Sequence, residues 1–165
     1  MSNEKAHEQG VKTQQRSINM ESTTTTTNNE NEIRDLLDNF SKAVEARDFD
    51  AIEAAYTDEV TVFDVPPPLR SIGKATYRKL WEGWLGMFDG NVKCEIRELK
   101  VAAADDVAYA HFLSKISNVG SDGTEHGSWV RVSLGFTKTN DKWLVAHAHA
   151  SLPFNGETSV EDLQP

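Results

Sequence analysis

The chain has 165 residues, a length that favours a single domain, and its formal net charge is −9. Such acidity argues against binding to nucleic acids or anionic membranes, which select basic surfaces. The single cysteine, Cys94, excludes an intrachain disulfide, and no apolar run is long enough to span a bilayer, so we expect a cytoplasmic protein.

The chain ends differ from the middle in composition. Residues 1–30 are polar, contain a run of threonines and lack the apolar segment of a secretion signal. A segment of this kind buries too little apolar surface to offset its ordering entropy, so we predict a disordered tail over 1–30. One folded domain is expected over 31–155, followed by a C-terminal tail over 156–165.

Three helices are predicted in the first half of the domain. In "NEIRDLLDNFSKAVEARD", apolar residues recur at helical spacing, which predicts the first helix. Asp48 is a suitable N-cap for a short second helix, whose apolar stripe includes Tyr56. A strand, "VTVFDV", then ends at three prolines. "GKATYRKLWEGWLGMFDG" predicts the third helix, with Trp81 and Trp84 on its inner stripe.

After Gly90 the apolar period changes from helical spacing to two. Four long alternating segments follow, separated by turn-forming stretches such as "ADD" and "ND". Helices followed by strands with short connections predict an α+β fold with a mostly antiparallel sheet. The helices must cover one face of this sheet, because its apolar side would otherwise be exposed.

Polar and aromatic side chains alternate on three of these strands. Successive side chains of a strand point to opposite faces, so each strand places its own set on one face. If the three faces coincide, one surface collects Tyr109, His111, Trp129, Arg131, Ser133, His147, His149 and Ser151. Such a mixture over a curved sheet is typical of a small-molecule pocket, so we predict that these residues bind a ligand.

The pair His147 and His149 has other interpretations. Two imidazoles two residues apart can chelate one ion, with His111 or His126 as a third ligand. No carboxylate follows at a supporting spacing and Arg131 would repel a cation, so neither a metal nor a cofactor is predicted. Each histidine could instead pack in the core. Arg131 itself needs an acceptor, either an acidic ligand or a carboxylate such as Asp64 or Glu125.

The segments "DFDAIEAAYTDEVTVFD", "GKATYRKLW" and "RVSLGFTKTNDKWLVAHAHASLPF" resemble the SnoaL-like and ketosteroid-isomerase-like group of the nuclear transport factor two superfamily. The resemblance covers about residues 32–154. It implies a cone in which three helices and a curved sheet enclose a central pocket, commonly in a homodimer formed through the outer face of the sheet. The last strand is also similar to that of the calcium/calmodulin-dependent kinase association domain.

The resemblance also implies a catalytic template. In ketosteroid isomerase, a carboxylate on the first strand moves a proton next to a carbonyl, and the pattern "YTDEVTVFD" puts Asp64 in that place. The family's oxyanion donors are absent, because their positions fall at Phe40 and near Ser133 or Leu134. Steroid isomerisation is therefore not expected, although His111, His147 or Tyr56 could replace the missing donors.

Two functions follow from these observations. The first is a pocket for a small organic molecule bearing a carbonyl or carboxylate, with isomerase-, cyclase- or lyase-like proton transfer by Asp64 and His147. Tyr56, Trp81 and Trp84 join the predicted ligand-binding residues. The alternative is a non-catalytic module that binds a ligand or assembles subunits. Hydrogen bonding of Asp64 to Arg131 would favour a structural role for Asp64, whereas an open cavity beside the tryptophans would favour a base.

Overall fold

The computed structural model describes residues 25–120 and 123–153. It confirms the predicted α+β class, with helices that precede most of a six-stranded sheet. The helices are α1 (25–46), α2 (Phe49–Ala54) and α3 (Lys74–Leu85). The strands are β1 (Tyr56–Phe63), β2 (Ser71–Ile72), β3 (Val92–Ala103), β4 (Val107–Val119), β5 (Glu125–Thr139) and β6 (Lys142–Ser151). No helix in the described ranges is long and apolar enough to cross a membrane.

Helix α1 includes residues 25–30, which the sequence placed in a disordered tail. The buried Asn29 explains the difference: its amide donates to Ala104 O at 2.7 Å, and Lys138 Nζ donates to its Oδ1 at 3.0 Å. Lys138 also donates to Glu32 Oε2 at 3.0 Å. These polar contacts hold the start of α1 against the ends of the strands. Residues 1–24 and the predicted C-terminal tail lie outside the described residues.

The strand order is β2-β1-β6-β5-β4-β3, and every neighbouring pair is antiparallel except β1 and β6. The predicted meander of the last four strands is therefore confirmed. Tyr56, expected on the second helix, instead opens β1. The cause is pairing with β6, because Tyr56 lies opposite Val145 and Val145 N donates to Ala55 O at 2.9 Å. The two-residue strand β2 was not predicted.

A β-bulge in β6 decides which side chains face the helices. Gly135 of β5 pairs with His147, whereas its neighbour Phe136 pairs with Val145, so Ala146 is an extra residue in β6. An extra residue reverses the alternation of all side chains that follow it. Val145 faces the helices. After the bulge it is the even-numbered residues, such as Ala148 and Ala150, whose side chains face the helices. His147 therefore points to the outer face of the sheet.

The hydrophobic core and a cavity both lie between the helices and the inner face of the sheet. Arg47 lies between α1 and α2, and its Nη2 donates to Phe88 O at 2.6 Å and to Gly90 O at 3.0 Å. These hydrogen bonds tie the end of α1 to the segment that follows α3. The two helices are thereby fixed over the sheet as walls of the cavity.

Candidate functional site

The cavity between the helices and the inner sheet face has a volume of about 600 Å³. Sites for small molecules commonly have volumes of this order. Most of the wall is aliphatic or aromatic and comes from α1, α3 and the inner faces of β3, β4 and β5. This apolar part includes Leu36, Phe40, Leu80, Trp84, Phe88, Ile96, Phe112, Ile116, Val130, Val132 and Leu134. Such a wall favours ligands with a large apolar surface.

Asp64 lies directly after β1 and is the only carboxylate lining this cavity in the described part of the chain. Its Oδ2 accepts a hydrogen bond from Tyr77 Oη at 3.1 Å, and its Oδ1 accepts one from Val65 N at 2.7 Å. Arg131 lies on the opposite face of the sheet. Asp64 therefore faces the cavity beside Trp81, which is the arrangement expected of a base.

Three aromatic side chains form the wall next to Asp64. The rings of Tyr56 and Tyr77 meet edge to face with centroids 5.2 Å apart, and Tyr77 meets Trp81 in the same way at 5.9 Å. Trp81 Nε1 is buried and has no hydrogen-bond partner among the described residues, although it lies beside both phenol groups. A buried N–H without an acceptor is costly, so this end of the cavity has unused donor capacity.

Both phenols remain protonated well beyond the ordinary tyrosine range. Burial is the largest cause that raises the pKa of Tyr77 well above its usual value, and the neighbouring Tyr56 and Asp64 add to it. Burial also raises the pKa of Tyr56, while contacts with Trp81 and Tyr77 oppose the increase. Neutral phenols are hydrogen-bond donors, so Tyr56 and Tyr77 can donate hydrogen bonds to a ligand oxygen that gains negative charge.

We expect these raised pKa values to make the protein less stable in alkali. A tyrosine whose pKa is higher in the folded state stabilises the fold fully at pH values below its unfolded-state pKa of about 10. This contribution to the free energy of unfolding is lost as the pH rises above that value. In Tyr109→Phe, only the two buried phenols contribute phenolate absorbance. Below the alkaline unfolding transition, absorbance should stay low in the folded variant and be high in the same variant unfolded with urea. Equal absorbance in both states would contradict the raised pKa values.

The eight residues that were predicted to lie on one face of the last three strands do lie on the same face. The strand pairing aligns His111 with Ser133 and Ser133 with His149, and it aligns Arg131 with Ser151. This surface is nevertheless the outer face, whereas the neighbouring residues Val130, Val132 and Ala150 line the cavity. The prediction of a cavity lined by the eight residues was therefore wrong: Tyr109, His111, Trp129, Arg131, Ser133, His147, His149 and Ser151 all lie outside it.

The two histidines of β6 contact β1 instead of a ligand pocket. His147 Nδ1–H donates to Thr61 O at 2.8 Å, and the Phe63 ring meets the imidazoles of His147 and His149 at centroid distances of 5.0 and 5.9 Å. These contacts place His147 away from Asp64, contrary to its predicted catalytic role. In the described ranges, no group of three or more His, Cys, Asp or Glu side chains could hold a metal ion.

Of the predicted site residues, the structure brings Tyr56, Asp64, Trp81 and Trp84 to the cavity. Tyr77 also lines the cavity, but it was not among the predicted site residues. The available signal was its position one helical turn before Trp81, on the same side of α3. Cys94, the single cysteine, also lines the cavity, and burial raises the pKa of its thiol.

Comparisons with known proteins agree with this architecture. The family described as the SnoaL-like domain matches residues 33–155. An NTF2-like protein of unknown function from Pseudomonas putida KT2440 is 34% identical, with a TM-score of 0.76 over 85% of this chain and 99% of its own. No match was found among functionally curated proteins.

Two more distant structures share only the fold. One is a proposed calcium/calmodulin-dependent protein kinase II association domain from Xanthomonas campestris, with 18% identity, a TM-score of 0.64 and coverage of 77% of this chain and 88% of that one. The other is a proposed NTF2-like dehydratase from Streptomyces avermitilis, with 17% identity, a TM-score of 0.66 and coverage of 76% and 96%. Because the family match covers about three quarters of its length, the chain belongs to the SnoaL-like domain family and has an NTF2-like α+β fold.

Proposed function

We propose that the cavity binds a mostly apolar carbonyl compound and that Asp64 moves a proton on the carbon next to the carbonyl. The observation that carries this proposal is a single carboxylate in a mostly apolar cavity, beside Tyr56, Tyr77 and Trp81. A carboxylate base and nearby neutral donors are the two groups that such a proton transfer requires. Isomerases, cyclases and lyases all use this step.

The contacts of Asp64 suggest how charge moves during the reaction. The carboxylate takes a proton from the carbon, and the electrons of the broken C–H bond form an enolate whose oxygen becomes negative. Tyr77 donates to the carboxylate while Asp64 is charged. After Asp64 is protonated, the Tyr77 hydroxyl is free to donate to the enolate oxygen, together with Tyr56. A donor of this kind contributes about 3–4 kcal/mol to the stability of an oxyanion transition state.

The charges around the cavity favour a neutral substrate. Neither lysine nor arginine lines the cavity within residues 25–120 and 123–153, and Arg131, the predicted partner of an acidic ligand, lies on the outer face. A ligand carboxylate next to Asp64 would experience repulsion without a compensating cation. We therefore favour a ketone, an enone or a similar neutral carbonyl compound over a carboxylate.

Hydrogen exchange tests this proposal without knowledge of the final product. The protein is incubated in D₂O with a panel of alkyl, aryl and polycyclic ketones, and deuterium incorporation next to the carbonyl is followed by NMR. We expect at least one apolar ketone to exchange faster than in a protein-free blank. The absence of catalysed exchange for every ketone that measurably binds the protein would contradict the proposal.

A second candidate function, subunit assembly, is favoured by the outer face of the sheet. Five of the large hydrophobic side chains that are exposed in the described chain lie there: Phe63, Ile72, Val107, Tyr109 and Val119. Scattered apolar groups are normal on a surface, but a shared sheet face suits contact with a second copy. We propose a homodimer formed through this face.

Light scattering after gel filtration tests the dimer. The wild type should have the mass of two chains, and Tyr109→Glu should shift the mass towards one chain, since a carboxylate would be buried at the contact. The control is Met87→Glu, at a side chain that is 73% exposed and lies on the helix side of the sheet, and it should remain dimeric. A wild-type monomer, or a Tyr109→Glu dimer, would refute this interface.

A further inference from the structure

The cavity has a second polar end, far from Asp64. Ser114 of β4 and Ser128 of β5 point towards the cavity. His126 lies on the same face of β5, two residues before Ser128 and near the start of the strand. Between these groups and Asp64, the inner face is apolar, with Val130, Val132 and Phe112 in the intervening positions. The cavity is thus a long apolar passage with hydrogen-bonding groups at both ends.

The strand pairing gives the separation between the two ends. Phe63 pairs with His149 in parallel, so Asp64 lies opposite Ala150, which pairs with Val132. Ser128 is four residues from Val132 along β5. With a strand spacing of about 4.8 Å and a rise of about 3.3 Å per residue, the Asp64 and Ser128 backbones are about 16 Å apart.

A close approach of two strands fixes the second polar end in place. At Gly127, an added Cβ would lie only 2.5 Å from Ile116 O and from Ser117 Cβ. A residue with a side chain would therefore push β5 away from β4 at this point. The glycine lets the strands meet, so the neighbouring Ser128 and His126 have a defined position at the cavity wall.

From this geometry, and given the proposed function at Asp64, we infer that the substrate is an elongated neutral molecule with an oxygen at each end. One end is the reacting carbonyl next to Asp64. The other is a hydroxyl or carbonyl oxygen that hydrogen-bonds to Ser128 and His126. The apolar middle of the molecule contacts the wall between them. The second contact sets how far the ligand enters and so which carbon lies next to Asp64.

Matched ligand pairs test this inference by binding. The probes are linear methyl ketones of increasing chain length and the same ketones with a terminal hydroxyl. Binding is measured through tryptophan fluorescence, to which Trp81 and Trp84 of the cavity wall contribute, in the Asp64→Asn protein, where no proton transfer interferes. We expect the hydroxyl to improve affinity by about three- to tenfold near one chain length, as one neutral hydrogen bond should, and not for much shorter chains.

Variants at the second polar end test whether Ser128 and His126 bind the distal oxygen of the ligand. Ser128→Ala combined with His126→Ala should remove the advantage of the hydroxyl and leave the affinity of the plain ketones unchanged. Ser133→Ala, on the outer face of the same strand, is the matched control and should keep the advantage. An advantage that survives in the double variant, or that is absent at every length, would overturn the inference. If the terminal hydroxyl improves affinity near one chain length but the wild-type protein catalyses no ketone exchange, only the proposed proton transfer is refuted.

Discussion

Asp64→Asn should reduce ketone exchange by about 100- to 10,000-fold, the usual loss when a general base is removed. An amide has nearly the shape of the carboxylate but cannot accept the proton. The Tyr77 hydroxyl can still donate to the side-chain carbonyl of asparagine, so the aromatic wall should keep its arrangement. Ketone affinity should therefore change much less than the exchange rate, which NMR in D₂O and fluorescence titration measure separately.

The matched control for this prediction is Asp58→Asn. Asp58 is also on β1, but it is exposed and pairs with Lys74 at the surface at 2.6 Å. Removing its charge should leave exchange almost unchanged, because a screened surface charge has little influence on the cavity. If Asp64→Asn exchanges hydrogen as fast as Asp58→Asn, then Asp64 is not the base.

Phe136→Ala should lower the free energy of unfolding by about 3–5 kcal/mol, the range for removal of a fully buried aromatic side chain. Phe136 is 2% exposed and lies on the inner face of β5 opposite Val145, next to the bulge. Its loss would leave a void between the sheet and the helices. Urea unfolding followed by circular dichroism gives the change from the midpoint and slope of the transition.

Phe63→Ala makes the same chemical change on the outer face and is the control for this prediction, with both variants compared in the Tyr109→Glu background so that the proposed dimer contact plays no part. Its ring is 41% exposed and contacts the imidazoles of His147 and His149 at the surface. A smaller loss is expected, because less apolar area leaves water when this ring folds into place. Equal losses for the two variants would show that the packing around Phe136 does not carry the stability assigned to it.

The elements themselves were predictable from the sequence because their patterns are long. The apolar spacing predicted α3, and Asp48 accepts a hydrogen bond from Ala51 N at 3.0 Å as the expected N-cap of α2. Alternation also predicted which residues of β4 and β5 share a face. The position of Asp64 at the cavity, by contrast, followed from the family resemblance and not from any periodicity.

The face that meets the helices could not be predicted from alternation alone. In "VAHAHAS", alanines fit either the interior or the surface, so nothing in the side chains indicates where the extra residue Ala146 lies. Strict alternation would keep His147 and His149 on the same face as Val145, and the bulge moves both to the opposite face. Tyr77 was missed for a related reason: helical spacing shows which residues face inward but does not distinguish a filled core from the wall of a cavity.

The bulge at Ala146 has a consequence for how this pocket can change. The residues that follow the bulge form two sets on opposite faces of the sheet. The alanines and Leu152 face the cavity, and the two imidazoles and the Ser151 hydroxyl face outward. A shortening of β6 by one residue would exchange them without a single substitution. The polarity of the cavity wall thus depends on the number of residues in β6 as much as on which side chains they carry. Relatives with the same His-Ala-His motif need not have the same pocket chemistry.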